Sequence, residues 1–338
     1  MSSFRKTVQP FLVAISLSTT SSCLSQELVW YRSHDLTNPM DVTTDNEGNV
    51  ITLGNLYGGP GVVKYDSDGN LLWSRFIGTA SFFGVTTDSE GNIALVGGRA
   101  PEGIVLKLSA DGDSLWQTDL QDILVLPRDI TTDKDDNIIT VGMSTSITAV
   151  KLSSEGEVLW SSTGGGLYGK ACATDSEGNV IVSGMDLGAD WDWLTIKFDP
   201  DGNKLWEATE GGPYSDSPRA ICVDVEDNIY VGGTWLVKYD KDGNQIWFDP
   251  EGLSSIYSLK YDGADALYMQ IFESSSCEII VKCNLDGNVM WQIPSIGSPP
   301  SQAFELAVEN TDQFYIAGDT NTFDSTGFTA KYSIINNR

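Results

Sequence analysis

The chain has a single histidine, His34, and five cysteines among 338 residues. With one histidine, and no cysteines spaced as metal ligands around it, no Cys/His metal motif appears. The cysteines are also poorly placed for a disulfide scaffold. Cys172 and Cys222 fall in comparable segments of adjacent repeats, while Cys277 and Cys283 bracket one extended run, too far apart along it to bond. Buried free thiols are the expectation for most of them. Basic residues are scarce, 20 Lys and Arg against 47 Asp and Glu, for a formal charge of -27. Such a surface repels nucleic acid and anionic lipid, and suits a solvated acidic exterior or cation binding. No apolar run is long enough to span a bilayer, and no stretch keeps a helical period. Phosphate loops, nucleophile elbows and zinc motifs are missing, and His34 has no Ser or Cys partner in sequence. No catalytic residue is therefore assigned.

The N-terminus carries a targeting pattern. Arg5 and Lys6 precede a short apolar stretch, residues 11–17, followed by Ser and Thr. This reads as an export signal cut after Ser25, with Cys23 and Ser25 as the small residues before the cut. Residues 1–25 are thus set apart as signal peptide or disordered tail, and 26–338 as the folded domain. Thr20-Ser21-Ser22-Cys23 distantly resembles a bacterial lipobox, so lipid attachment at Cys23 is an alternative. The protein is expected to be secreted, on the cell surface or periplasmic.

Internal repetition carries the fold. Trp30, Trp73, Trp116, Trp160, Trp206, Trp247 and Trp291 recur at spacings of 41 to 46 residues. A lysine flanked by apolar residues recurs with them: Lys64, Lys107, Lys151, Lys197, Lys238, Lys282 and Lys331. An Asp opening a Gly-Asn or related turn stands at Asp45, Asp88, Asp133, Asp175 and Asp224; worn copies lie near Asp262-Gly263 and near Asn310-Thr311-Asp312-Gln313. Each unit reads as four short strands, for example 84–87, 93–96, 104–108 and 114–118, joined by Asp/Gly/Asn turns. Four strands at roughly 43 residues per unit make a propeller blade. The first strand, at Leu28-Val29-Trp30, is a strand D without A, B and C, and the last, at 328–332, is a strand C without D. Pairing them closes the ring and removes two open sheet edges. The predicted fold is an all-β, seven-bladed β-propeller with four antiparallel strands per blade, its last blade completed by the N-terminal strand.

The repeated residues read as scaffold. Asp66-Ser67-Asp68-Gly69-Asn70 and its copies resemble the front half of a calcium loop but lack the distant Glu, so turn chemistry is expected and calcium is the alternative; no other cofactor is expected. The tryptophans are read as blade-to-blade packing, with ring N–H groups in reach of a neighbouring turn carbonyl. The lysines are expected to cover apolar surface with their stems and to reach carboxylates with their amines.

Function is sought among residues the repeat does not demand, on the face of the D–A and B–C connections. Arg128, Lys170 and Arg219 each stand five residues before the repeat Asp of blades three, four and five, at the entrance of the strand nearest the channel. Three cations in register on an acidic protein form an arc suited to a carboxylate or another anion. Tyr168, Trp191, Trp193 and Tyr214 are expected to stack beside it. In the alternative, the cations only neutralise Asp129, Asp186 or Asp216.

The string Ile196-Lys197-Phe198-Asp199-Pro200-Asp201-Gly202-Asn203-Lys204-Leu205-Trp206 resembles the repeats of bacterial seven-bladed propellers of the SBBP-like and delta-60-like kind, and the similarity runs from Trp30 to Lys331. That resemblance implies the architecture and export. There is weaker similarity to quinoprotein-type propellers, whose docking repeat has Asp, Thr-Gly and Trp. Asp66, Gly69 and Trp73 keep the order, with Asp68 in place of Thr, a spacing one shorter, and seven blades rather than eight. The expected function is an exported binding or interaction scaffold for a glycan or another protein. The alternative is an extracellular enzyme, saccharide-acting or quinoprotein-like, using a channel-mouth site.

Overall fold

In a computed structural model of the chain, residues 24–336 are described apart from 57, 100, 187–191, 212–216, 250–254, 274–276, 295–301 and 320–326. The expected signal segment up to residue 23, with Cys23, lies outside the described residues. Among the described residues, 28 strands form seven four-stranded antiparallel sheets, each in sequential order except one. Blade one runs A (Leu36–Thr44), B (Val50–Leu56), C (Gly59–Tyr65) and D (Leu71–Phe76). Strand A of the next six blades is Ser81–Thr87, Leu126–Thr132, Tyr168–Thr174, Pro218–Val223, Ile256–Tyr261 and Gln302–Asn310.

Blade seven is the exception. Its outer strand is the N-terminal Leu24–His34, paired antiparallel with the C-terminal Gly327–Asn336 from Leu24↔Asn336 to His34↔Gly327. The two chain ends thus share one sheet, as the incomplete first and last repeats require. Both strands are longer than the sequence reading gave them. The N-terminal one begins two residues before the expected cleavage point, and pairing on the far side starts at Gln26↔Ile334.

Strands B and C are buried on both faces because each sheet packs between two neighbours. In blade one, Ile51, Leu53 and Val62 meet Phe82, Val85, Leu95 and Leu106 of blade two. Each such aliphatic side chain contributes about 1.5–3 kcal/mol by leaving water.

The repeat residues form a seam between blades. Asp45 accepts from the backbone N–H of Glu47 and Asn49 through Oδ1 and from the Asn49 amide through Oδ2, which also pairs with Lys64 at 2.9 Å. Burial alone would raise the Asp45 carboxyl, but Asn49 and Lys64 outweigh it and hold it below its ordinary value. The same pair recurs as Lys107–Asp88, Lys151–Asp133, Lys197–Asp175 and Lys282–Asp262. In blade seven the acid is Glu309, 2.7 Å from Lys331, which corrects the reading that placed the worn seventh copy one residue later. Blade five differs. Tyr230 donates to Asp224 at 3.0 Å, and the Lys238 amine sits 5.0 Å from the Tyr230 ring centre.

Every ladder lysine except that of blade six also donates to the next blade, to the carbonyl that receives that blade pair's tryptophan. Lys107 and Trp116 both reach the Ser154 carbonyl, at 3.1 and 2.9 Å. The receiving turn lies flat on the indole. A Cβ on Gly156, whose φ is +87°, would stand 2.8 Å from Trp116. Only glycine takes that φ without strain and leaves room for the ring. Blade seven has no C–D turn, since its D strand comes from the other chain end. Lys282 of blade six accordingly turns to the Thr311 carbonyl, at 2.6 Å.

Candidate functional site at the channel mouth

Strand A of every blade touches strand A of the next, and blade seven's touches blade one's, so the seven A strands form the inner ring. They line a cavity of about 360 Å³. A second space of about 280 Å³ shares Val42, Thr43, Cys222 and Lys260 with it and continues toward the turn face.

The sequence reading began strand A of blade two at Gly84. The strand begins at Ser81, and the added turn of chain carries the site. Register slips between Phe82 and Gly84, Pro127 and Asp129, Gly169 and Ala171, Pro218 and Ala220, and Ile256 and Ser258. The residue skipped by each bulge lacks a cross-strand partner and is re-aimed. Those residues are Phe83, Arg128, Lys170, Arg219 and Tyr257, and all five line the cavity. The mouth therefore has a cationic half from blades three to five and an apolar half from Met40, Phe83 and Tyr257.

The three cations are brought together. Burial lowers the Lys170 amine, and the charges of Arg128 and Arg219 lower it further. Their contacts are rings rather than acids. Arg128 lies 5.4 Å from the Phe83 ring centre, Lys170 5.8 Å from Tyr168, and Arg219 4.1 Å from Tyr257. Among the described residues no ion pair joins any of the three to a carboxylate.

In blades one, three and seven the residue at which pairing resumes is an acid, Asp41, Asp129 and Glu305, and these three form a second tier of opposite sign. Asp41 accepts from Val42 N–H at 2.8 Å and from Val85 N–H of blade two at 2.7 Å. Asp129 accepts from Ile130 N–H at 2.9 Å and from Cys172 N–H of blade four at 2.8 Å. Both carboxylates thus staple one blade to the next. Glu305 accepts the Ser258 hydroxyl of blade six at 2.7 Å and is held by the Leu306 backbone N–H, with the Lys260 amine 3.9 Å away. Burial raises the Asp129 carboxyl and, with the Glu305 charge, lifts Asp41 well above its ordinary value. Burial also pushes Glu305 up to about 7, against the pull of Lys260 and Ser258. Lys260 stands one step deeper. Burial would lower its amine, but Glu305, Asp41 and Asp129 together raise it.

The remaining residues expected at the site divide. Tyr168 is half-buried beside Lys170. Trp193 is fully buried in strand C of blade four, its ring 6.0 Å from that of Trp235, so it is core and not a stacking surface at the mouth. Trp191, Tyr214 and the acid Asp216 lie outside the described residues. Asp129, offered as a neutralising acid, spends its oxygens on backbone N–H groups instead. Lys260, Glu305, Asp41, Phe83 and Tyr257 were not singled out from sequence. Counting one and three residues further along the register that found the arginines leads to the acids and to Lys260.

Elsewhere the polar groups are structural. His34 is half-buried and pairs through Nε2 with Thr329 at 3.0 Å, and desolvation pushes its imidazole down to about 4. Cys172, Cys222 and Cys283 are buried free thiols. In the turn at Asp66, the carboxylate is occupied by the N–H groups of Asp68 and Asn70 and by the Asn70 amide. Among the described residues no group of three or more His, Cys, Asp or Glu side chains is arranged to hold a metal ion. Among them, too, no helix is long and apolar enough to cross a membrane.

Residues 101–255 match the PQQ-type repeat family described as outer membrane protein assembly factor BamB. The fold is similar to a crystal structure of a protein of unknown function from Bacteroides caccae, 15% identical, with a TM-score of 0.53 over 72% of this chain and 93% of that one. No curated protein matches the chain. The propeller thus rests on the fold itself, and the quinoprotein-type similarity on the family match over residues 101–255.

Proposed function

We propose that the protein is an exported propeller scaffold that captures a carboxylate-bearing ligand, free or as the acidic tip of a larger molecule, in its channel mouth. The observation that carries this is the arc of Arg128, Lys170 and Arg219, three converging cations without a carboxylate partner among the described residues. Every other lysine on the inner seam has a carboxylate or a ring and a carbonyl to hold it. Guanidinium groups offer a planar fork of donors to a carboxylate, and a partly enclosed cavity lessens the screening of that attraction. The partial match to a family described as an outer-membrane assembly factor supports a scaffold role outside the cytoplasm. Titration calorimetry with glucuronate, with glucose as the uncharged control, tests the reading. Glucuronate is expected to bind, glucose not, and Arg128→Ala/Arg219→Ala to weaken glucuronate by at least about tenfold. Unchanged affinity in the double variant overturns it.

A second reading, hydrolysis of a saccharide, is favoured by one observation: three carboxylates share the cavity, one of them lifted to about 7. An acid at that value suits general acid catalysis. Against it, Asp41 and Asp129 commit both oxygens to backbone N–H groups. Release of nitrophenol from chromogenic glycosides, lost in Glu305→Gln, is the result this reading requires.

A further inference from the structure

We propose that anion capture at the channel mouth is coupled to uptake of one proton by the Asp41–Glu305 carboxylate pair, carried on Glu305, so that the site holds its ligand more tightly in mildly acidic than in alkaline solution. This rests on the anion-binding reading above and adds its regulation.

The geometry is a stack of charge inside one cavity. Arg128, Lys170 and Arg219 stand at the bulge, and Asp41, Asp129 and Glu305 stand one residue further in on strand A of blades one, three and seven. The groups facing Glu305 come from every side of the ring. Blade six supplies the Ser258 hydroxyl and the Lys260 amine. Blades one and three supply the carboxylates of Asp41 and Asp129, whose charges act on Glu305 and on Lys260. Blade five supplies the Cys222 thiol, which burial pushes up and leaves neutral. The mouth cations complete the set.

Within the pair, the proton belongs on Glu305. Each oxygen of Asp41 accepts a backbone N–H, which favours its ionised form. Glu305 has the Ser258 hydroxyl, the Leu306 backbone N–H and an ammonium 3.9 Å away, one backbone N–H fewer than Asp41 and so a weaker hold on a negative charge. Two nearby carboxylates titrate as a unit, so the equilibrium is one of the pair. An anion seated against the arc adds a further negative charge to the same enclosed space. That charge opposes ionised Glu305, and the carboxylate takes a proton from solvent. No bond other than the new O–H forms, and none breaks. By linkage, whatever binds with a proton binds more tightly as the proton becomes available. Once neutral, Glu305 no longer repels the ligand.

The test uses the full chain and two probes that stay ionised throughout, glucuronate and sulfate. Between about pH 8.5 and about pH 5.5 the wild-type dissociation constant is expected to fall about fivefold for either probe, as removal of one nearby charge in a partly screened cavity allows. Glu305→Gln, which keeps the shape and holds the position neutral, is expected to bind at the tight limit with no pH dependence over that range. Calorimetry of the wild type near pH 7 in buffers of different ionisation enthalpy is expected to show net proton uptake on binding, a measurement that does not depend on any variant. Binding with no proton uptake, or a pH slope that survives in Glu305→Gln, overturns the coupling and leaves the anion site standing. No binding of either probe at any pH overturns both.

Discussion

The seam between blades and the channel mouth are built from the same residue types and use them oppositely. On the seam, Lys107 and Asp88 are both buried, 2.8 Å apart, with the Asp88 oxygens also bound by its own turn and the Lys107 amine by a carbonyl of the next blade. At the mouth, Arg128 and Asp129 are adjacent in sequence and do not pair. One lies over a ring and the other staples two strands. A buried charge with all its partners holds the fold together. A cation left facing a cavity is available to something that arrives from outside.

The difference can be broken first by stability. Lys107→Ala strands the buried Asp88 carboxylate and is expected to cost about 3–5 kcal/mol. Arg128→Ala, on the exposed side of the ring, is expected to stay within about 0.5 kcal/mol of wild type. Denaturant melts of both variants decide it, and comparable losses would erase the distinction. Next comes the turn beneath the seam. Gly156→Ala forces a side chain to a φ of +87° and into Trp116, and is expected to cost about 1–3 kcal/mol with the mouth untouched. Glucuronate binding in that variant, measured below its melting temperature, is expected to match wild type.

pH separates the two regions by sign. Asp45, Asp88, Asp133 and Asp175 sit below the ordinary carboxylate range despite their burial, because Asn and Lys partners outweigh it. Their contribution is present above the unfolded value and is lost as pH falls below about 4. Glu305 is raised to about 7, so its contribution runs the other way, present in acid and lost as pH rises from about 4.5 toward 7. Melting temperature against pH is therefore expected to fall at both ends. Glu305→Gln is expected to remove a loss on the order of 2 kcal/mol from the alkaline side only. The smallest effect expected is that of calcium. Because the Asp66-type turns already spend their carboxylates on backbone N–H groups, adding a chelator is expected to move the melting temperature by less than about 1 °C.

Much of this was readable in the chain. The tryptophan and lysine ladders gave the blade number, and the truncated first and last repeats gave the closure through Trp30 and Lys331. The position five residues before the repeat Asp located Arg128, Lys170 and Arg219. Glu309 falls outside an Asp ladder, although Glu serves the same lysine. Trp193 was misjudged because a tryptophan next to irregular connections looks like a binding residue, and burial is a property of neighbours in space. The bulges were illegible. Nothing local in Pro127-Arg128-Asp129 or Gly169-Lys170-Ala171 says that one residue will lose its partner and turn toward the axis.

The sequence by itself determined the repeat, the seam and the ring, since these follow from turns, strand periods and one pairing rule applied seven times. Only the tertiary structure decided which charges meet. Strands from blades one, three, six and seven, distant in the chain, bring Asp41, Asp129, Lys260 and Glu305 to one cavity. The burial that sets their protonation exists only when the ring is closed. A pattern along the chain fixes what each blade must do for its neighbour. The field inside the channel is a sum over all seven, and no single repeat contains it.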